Sequence, residues 1–276
     1  MTYQELVALL KEAAVDSPEW DAALLLEHFC GISIGRIDPT DTTDYQSEGL
    51  EDAVRRRAAH YPLQYILGEW SFYRQTYEVS PDCLIPRSDT EVLVEEAIRR
   101  LPRGAHFADL CTGSGCIAIS TLCERPDTTA YAIDKFEATL ALAMRNASKN
   151  GVANRLVLSV ADVLKDGALP TDMQFDAILS NPPYIRTTVV QELAPELSAE
   201  PVAALDGGED GLLFYRAILQ NGKKHLKAGG FFLFEIGFDQ AEDITRLAKE
   251  AGYPTCKIIK DLSGNDRVAL IAEANP

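Results

Sequence analysis

The chain has 276 residues, 46% hydrophobic and 25% charged, a composition ordinary for a soluble globular protein and a length sufficient for one large domain plus a small one. Its 26 Lys and Arg against 42 Asp and Glu leave a formal charge of -16, and residues 1–80, with 6 basic and 14 acidic side chains, carry half of it. Neither part is a basic module, which argues against a protein whose affinity comes from neutralising phosphates. The start, Met1-Thr2-Tyr3-Gln4-Glu5, has no basic segment and no long apolar run follows. Cys30, Cys83, Cys111, Cys116, Cys123 and Cys256 form no Cys-x-x-Cys pair and have no His at metal-ligand spacing. A cytoplasmic protein is expected, with free thiols and no metal, export signal or membrane span.

Residues 1 to about 60 read as helices. Leu6, Leu9, Leu10 and Ala13 share a helical face, and Ser17-Pro18 opens a second helix that ends at Gly31. Ser47 opens a third, with Leu50, Ala53, Val54 and Ala58 on one face. Arg55-Arg56-Arg57 is either a docking patch for an acidic partner or a set of cations complementing a helix C-terminus. His28 and His60 have no partner motif. Between Gln64 and Val79 the residues turn aromatic and β-branched, bounded by Gly and Pro, as in a hairpin. Ser88 and Glu91 have the spacing of a capping box, opening a helix with Val92, Leu93, Ala97 and Ile98.

From Phe107 strands and helices alternate. Strands are expected at Phe107–Leu110, Ala130–Ile133, Leu156–Val160, Phe175–Ser180, Phe231–Glu235, Cys256–Ile259 and Val268–Ala272. Such alternation builds a mostly parallel sheet covered on both faces. The last two strands are joined by Lys260–Arg267, too short for a crossover helix, so they pair antiparallel.

Two loops carry chemistry. Asp109-Leu110-Cys111-Thr112-Gly113-Ser114-Gly115 joins the first strand to its helix, where glycines admit a ligand close to the backbone and the helix offers free N–H groups. Read on to Ala118 it is also Gly-x-Gly-x-x-Ala, so a nicotinamide oxidoreductase is a second candidate. Asp134 ends the second strand, where a carboxylate can accept from ribose hydroxyls of NAD or of S-adenosylmethionine. Asp162 follows the third strand, placed either to take an adenine amino group or to close its own turn.

The other loop is Ser180-Asn181-Pro182-Pro183-Tyr184-Ile185, at the carboxyl end of the apolar run Phe175–Leu179. A residue before proline is pushed toward extended backbone, prolines offer carbonyls without N–H, and Asn carries an amide carbonyl on a short arm. The result is a stiff cluster of acceptors beside an aromatic ring, suited to a planar NH2 group. A hydride-transfer enzyme has no evident need of it; a methyltransferase must hold an acceptor opposite its donor.

From Arg57 onward, and most closely from Pro62, the chain resembles the class I methyltransferases that methylate the side-chain amide of glutamine in peptide chain release factors. The similarity lies in Pro62-Leu63-Gln64-Tyr65-Ile66-Leu67-Gly68, Leu84-Ile85-Pro86-Arg87 with Asp89-Thr90-Glu91, Asn181 to Ile185, Glu200-Pro201 with Ala204-Leu205, Gly207 to Leu212, Glu235-Ile236-Gly237 with Gln240, and Asp266-Arg267. It implies an α/β fold with a seven-stranded Rossmann-like methyltransferase sheet whose last strand is antiparallel, plus a small N-terminal helical bundle. The expected division is 1–61 for the bundle, recognising substrate, 62–84 for a hairpin linker, and 85–276 for the S-adenosylmethionine-dependent domain. Two departures stand out: Ser88 where the family usually has proline, and Cys111 where it usually has glycine.

By this resemblance the donor, S-adenosylmethionine, binds Cys111, Thr112, Gly113, Ser114, Gly115, Asp134, Asp162, Val163 and Asn181, and the substrate glutamine binds Asn181, Pro182, Pro183 and Tyr184. Asn181, Pro182 and Tyr184 are the catalytic set, and the partner is a release factor of translation termination, its Gly-Gly-Gln motif carrying the glutamine. Sequence-specific nucleic-acid binding is not expected. The alternative is an adenine-N6 methyltransferase acting on DNA or RNA, which would use the same acceptor cluster for the exocyclic amine; a non-catalytic adapter is a third reading.

Overall fold

The helical spacing of the first residues is realised as α1 (Tyr3–Glu12), α2 (Pro18–Cys30) and α3 (Leu50–Ala58), followed by a short α4 (Leu63–Leu67). The computed structural model describes residues 1–40, 42–193 and 197–273. Leu6, Leu10, Leu25 and Leu26 are fully buried and pack with Leu50, Val54 and Leu63 into one core. Thr2 and Glu5 form a capping box: Thr2 Oγ1 accepts the Glu5 amide and Glu5 Oε2 accepts the Thr2 amide. Pro18 opens α2, and Gly31 closes it at φ 68.

Each arginine of the triplet has a partner in the structure. Arg55 pairs with Asp52, the Arg56 guanidinium lies over the Tyr61 ring, and Arg57 is buried with Nε 2.6 Å from Asp21 Oδ2. Leu63–Leu67, expected in extended form, is helical because Leu63 and Ile66 are three apart and both enter the N-terminal core, so burial overrides the β preference of the run. The hairpin is therefore short, β1 (Glu69–Phe72) and β2 (Gln75–Glu78).

The chain falls into two compact units, Met1–Glu69 with Leu193–Ala199, and Trp70–Glu192 with Glu200–Pro276. In the second, α5 (Glu91–Arg100) follows a 3-10 turn over Ser88–Thr90. The capping box expected there does not form, since Glu91 Oε1 instead accepts the Tyr73 amide at 2.8 Å. Alternation then proceeds as β3 (His106–Leu110), α6 (Cys116–Glu124), β4 (Thr129–Asp134), α7 (Glu137–Lys149), β5 (Leu156–Val160), β6 (Phe175–Ser180), α8 (Thr187–Val190), α9 (Leu213–Gly222), β7 (Leu226–Glu235), α10 (Ala241–Glu250), β8 (Thr255–Lys260) and β9 (Asp266–Ala272).

These strands form a seven-stranded sheet in the order β5-β4-β3-β6-β7-β9-β8, with β9 antiparallel to both neighbours and the others in that row from β5 to β7 parallel. Alternate residues feed opposite cores: Phe231, Leu233, Val268 and Leu270 pack with Leu93, Ile117 and Leu122, while Phe232, Phe234, Ala269 and Ile271 pack with Ile218, Leu219, Ile244 and Leu247. Both faces are covered, hence the near-continuous apolar runs.

Arg57→Ala takes the guanidinium away from the buried Asp21 carboxylate and should lower unfolding free energy by about 3 kcal/mol or more, seen as a reduced urea midpoint for that unit.

Candidate active site

Beginning at β3, the chain travels outward to β4 and β5 and then returns to place β6 on the other side of β3. Neighbouring loops diverge at such a reversal and open a crevice at the carboxyl ends of the strands. Leu110 of β3 is in register with Ser180 of β6, and Ser180 Oγ donates to the Leu110 carbonyl at 2.6 Å. The loops beginning at Cys111 and Asn181 thus start side by side.

The first loop is held from below and from both sides. Thr112 N–H donates to the Ile133 carbonyl at 3.0 Å, and Asn146 Nδ2 donates to the Ser114 carbonyl at 3.0 Å while its Oδ1 accepts the Glu78 amide of β2. Gly115, at φ 82, is the N-cap of α6, and a Cβ there would lie 2.8 Å from Ile119 Cδ1. Among the described residues, no heavy atom beyond Gly113 and its two chain neighbours lies within 4 Å of where a Cβ would stand, which leaves that backbone open to a ligand. Cys111 has φ 57, in the left-handed region that favours glycine. This accounts for the glycine usual at that position in the resembling family. Burial, followed by the nearby Asp134 and Asp109 carboxylates, pushes its thiol far up, so it is neutral.

Asp109 is completely buried beneath the loop; its Oδ2 accepts from Thr112 Oγ1 at 2.6 Å and from the Ala118 amide at 3.2 Å, while Oδ1 has no hydrogen-bond partner among the described residues. Burial raises its carboxyl to about 7, against the lowering effect of those two donors. Asp134 Oδ2 accepts the Gly113 amide at 3.0 Å and Oδ1 the Phe136 amide at 3.2 Å; burial raises it and those amides oppose the shift. Asp162 Oδ1 accepts the Leu164 amide at 3.0 Å, closing its own turn, and its Oδ2 lies 3.3 Å from Lys135 Nζ.

These elements enclose a cleft of about 940 Å³, counting its open mouth. It is bordered by Cys111, Thr112, Gly113, Ser114, Asp134, Asp162, Val163, Asn181 and Pro183, with Ile85, Thr90, Ile117, Phe136 and Pro201 among the further walls. Gly115, Pro182 and Tyr184 do not border it. The open Gly113 backbone, the Asp134 carboxylate and apolar walls suit a small ligand with an apolar body and hydroxyl groups.

The second loop is fixed by residues distant in sequence. Asn181 Nδ2 donates to Thr90 Oγ1 at 3.2 Å, so its Oδ1 is the end left for another donor. The Pro182 carbonyl accepts no hydrogen bond among the described residues. Tyr184 hydroxyl donates to Glu235 Oε1 at 3.3 Å, and burial and that carboxylate both push the phenol up. Gln240 Nε2 donates to the Tyr184 and Gly211 carbonyls at 3.1 and 3.2 Å, and its Oε1 accepts the Gly237 amide at 2.9 Å. Gly207 must lack a side chain because a Cβ would sit 2.6 Å from Tyr184 Cα. Arg87 pairs with Glu200, whose Oε2 accepts the Ile85 amide, tying the cleft wall together.

Sequence reasoning gave no role to Thr90, Glu235 or Gln240. The available signals were their places in the motifs that carry the family resemblance and their polarity: Glu235 is an acid ending an apolar strand, and it is 1% exposed. Burial raises its carboxyl to about 7, opposed by Thr90, Arg267 and Tyr184 and reinforced by Asp89.

Two family models match the chain, one described as the PrmC N-terminal domain over residues 2–68 and one as the methyltransferase small domain over residues 88–218. A release factor glutamine methyltransferase from Caulobacter vibrioides is 39% identical over 95% of this chain and 91% of its own length. The chain belongs to the release factor glutamine methyltransferase family. A second such methyltransferase, from Geobacter sulfurreducens, is 42% identical over 78% of this chain and 74% of its own. A methyltransferase from Pyrococcus furiosus, 22% identical, shares the fold with a TM-score of 0.54 over 72% of this chain and 89% of its own. The enzyme's sheet carries its antiparallel strand at β9.

Two consequences for this family member can be measured. Cys111→Gly should raise stability by about 1 kcal/mol by relieving the left-handed backbone, read as a higher denaturant midpoint. The raised Glu235 carboxyl favours the protonated folded state, so its contribution is complete below the ordinary carboxylate range and is lost as pH rises through about 7. Glu235→Gln should accordingly gain on the wild type between pH 5 and pH 8, by on the order of 2 kcal/mol, in urea midpoints compared across that range.

Proposed function

We propose that this protein transfers the methyl group of S-adenosylmethionine to the side-chain amide nitrogen of the glutamine in the Gly-Gly-Gln motif of a peptide chain release factor. The observation that carries the reading is Asn181: its amide nitrogen is occupied by Thr90, its carbonyl oxygen is left as an acceptor, and it borders the cleft beside the glycine loop. S-adenosylmethionine, when bound, supplies a methyl group activated by the positive sulfonium.

Cys111 to Gly115, Asp134, Asp162, Val163 and Asn181 hold that donor in this reading. Asp134, already oriented by two backbone amides, retains lone pairs for ribose hydroxyls. The chemical difficulty lies in the acceptor, because the amide lone pair is delocalised into its carbonyl. Asn181 Oδ1 and the Pro182 carbonyl each take one hydrogen of the glutamine NH2, turning the lone pair toward the methyl. Pro183 and Tyr184 flank the amide plane. Positioning of this kind can supply roughly 7 to 11 kcal/mol. Carbonyl dipoles facing the positive charge that develops on nitrogen add electrostatic stabilisation, and the methylated nitrogen is acidic enough to lose its proton to water.

Residues 1–61 serve to recognise the release factor, 62–84 link, and 85–276 bind the donor and carry out transfer; the two matched models divide the chain in a compatible way. Among the described residues no helix is long and apolar enough to cross a membrane, and a cytoplasmic enzyme acting on a protein is the reading adopted. The -16 charge weighs against nucleic acid as substrate.

The deciding experiment incubates the protein with S-adenosylmethionine and a purified release factor and maps the product by mass spectrometry. One methyl on the Gly-Gly-Gln glutamine is expected, and a methyl elsewhere, or on DNA, overturns the substrate assignment. Asn181→Ala should reduce turnover by about 100-fold or more while calorimetry shows donor affinity largely kept; retained turnover would remove Asn181 from its role.

A further inference from the structure

The two ends of an asparagine side chain have nearly the same shape but opposite hydrogen-bonding character. Which end meets the substrate is therefore decided by what binds the other. At Asn181 that partner is Thr90 Oγ1, 3.2 Å from Nδ2 and buried at 2% exposure. A hydroxyl has one proton. With Thr90 accepting from Asn181, its proton must go to a different acceptor.

That acceptor is at hand on the end of β7. Glu235 Oε2 is a buried oxygen with no hydrogen-bond partner among the described residues, and the nearby Thr90 hydroxyl favours the charged form of that carboxylate. Its Oε1 takes the Tyr184 hydroxyl proton at 3.3 Å. An ionised carboxylate can only accept, so both neighbours are obliged to donate toward it. Arg267, buried on β9 and paired with Asp89 and Asp261, supplies positive charge that supports the ionised form.

We propose that Glu235 is a positioning residue that fixes the Asn181 amide through Thr90, so that the carbonyl and not the NH2 faces the substrate glutamine. The inference rests on the methyl-transfer reading above. A neutral glutamine at this position could donate to Thr90, whose proton would turn toward Asn181. The Asn181 carbonyl would then rotate inward and present its NH2 to the substrate NH2, two donors facing each other.

The test uses the full-length enzyme with S-adenosylmethionine and a release factor at about pH 8.5, where the wild-type carboxylate is ionised. Glu235→Gln and Thr90→Val should each lower kcat by about 100-fold, with the KM for S-adenosylmethionine within about threefold, a shift worth under 1 kcal/mol. Glu235→Gln should melt no lower than the wild type, which separates positioning from damage to the fold. Thr90→Ser, which keeps the hydroxyl, should restore most of the rate. The double variant Glu235→Gln, Thr90→Val should be no slower than the slower single, because both cut the same relay. Wild-type kcat in Glu235→Gln, equal losses in Thr90→Ser and Thr90→Val, or multiplying losses in the double variant would each overturn the proposal. A wild-type enzyme that leaves glutamine unmethylated sinks the functional reading and this inference with it; an active wild type with an unaffected Glu235→Gln sinks the inference alone.

Discussion

The parallel pairing of β3 with β6, sealed where Ser180 Oγ donates to the Leu110 carbonyl, is the constraint on which the site depends. It brings together loops that begin 70 residues apart in sequence. Without that register the glycine loop would open beside one strand and Asn181 beside another, and no single crevice would be bordered by both. The apolar cores on both faces hold the register, since a one-residue slip would turn Ala177 and Leu179 out of one core and Ile178 out of the other. Hydrophobic patterning therefore does more for the chemistry here than any contact inside the cleft.

The polar residues around the crevice divide into those that shape backbone and those left with spare hydrogen-bonding capacity. Asp109, Asn146 and Gln240 belong to the former and are buried: Asn146 and Gln240 bridge backbone groups of separate segments, and Asp109 ties the Thr112 hydroxyl to the Ala118 amide. Asn181 and Asp134 border the cleft and retain acceptor capacity toward it. Two buried carboxyls, Asp109 and Glu235, each keep one oxygen without a hydrogen-bond partner among the described residues. Such incompletely satisfied acids cost stability, and their location directly beneath the two loops is consistent with a fold that accepts this cost to hold its loops in place.

Much of this was legible in the sequence because the relevant physics is local. Apolar runs ending in polar loops marked the strands, Pro18 and Gly31 marked the limits of α2, and the short Lys260–Arg267 connection implied the antiparallel pair. Cys111 could be flagged as a departure, but its φ of 57 supplied the reason. What could not be read was long-range competition for the same group. Glu91 has the spacing of a capping residue, yet the Tyr73 amide takes its carboxylate. Leu63–Leu67 looks extended until the N-terminal core claims Leu63 and Ile66. The contacts of Asn181 with Thr90 and of Tyr184 with Glu235 span 91 and 51 residues, distances over which no periodicity speaks.

The reach of Gln240 has a bearing on the order in which the molecule is built. One side chain clasps the Tyr184 and Gly211 carbonyls and the Gly237 amide, so the bend after β6 is completed only by residues emerging more than fifty positions later. A growing chain that has released Asn181 and Tyr184 but not yet β7 possesses the tetrapeptide without its clasp. Contacts of such sequence separation form late, after the costly loop closures have been made. Competence for chemistry is therefore expected to arrive with the last third of the chain, when the sheet that positions the acceptor is already in place.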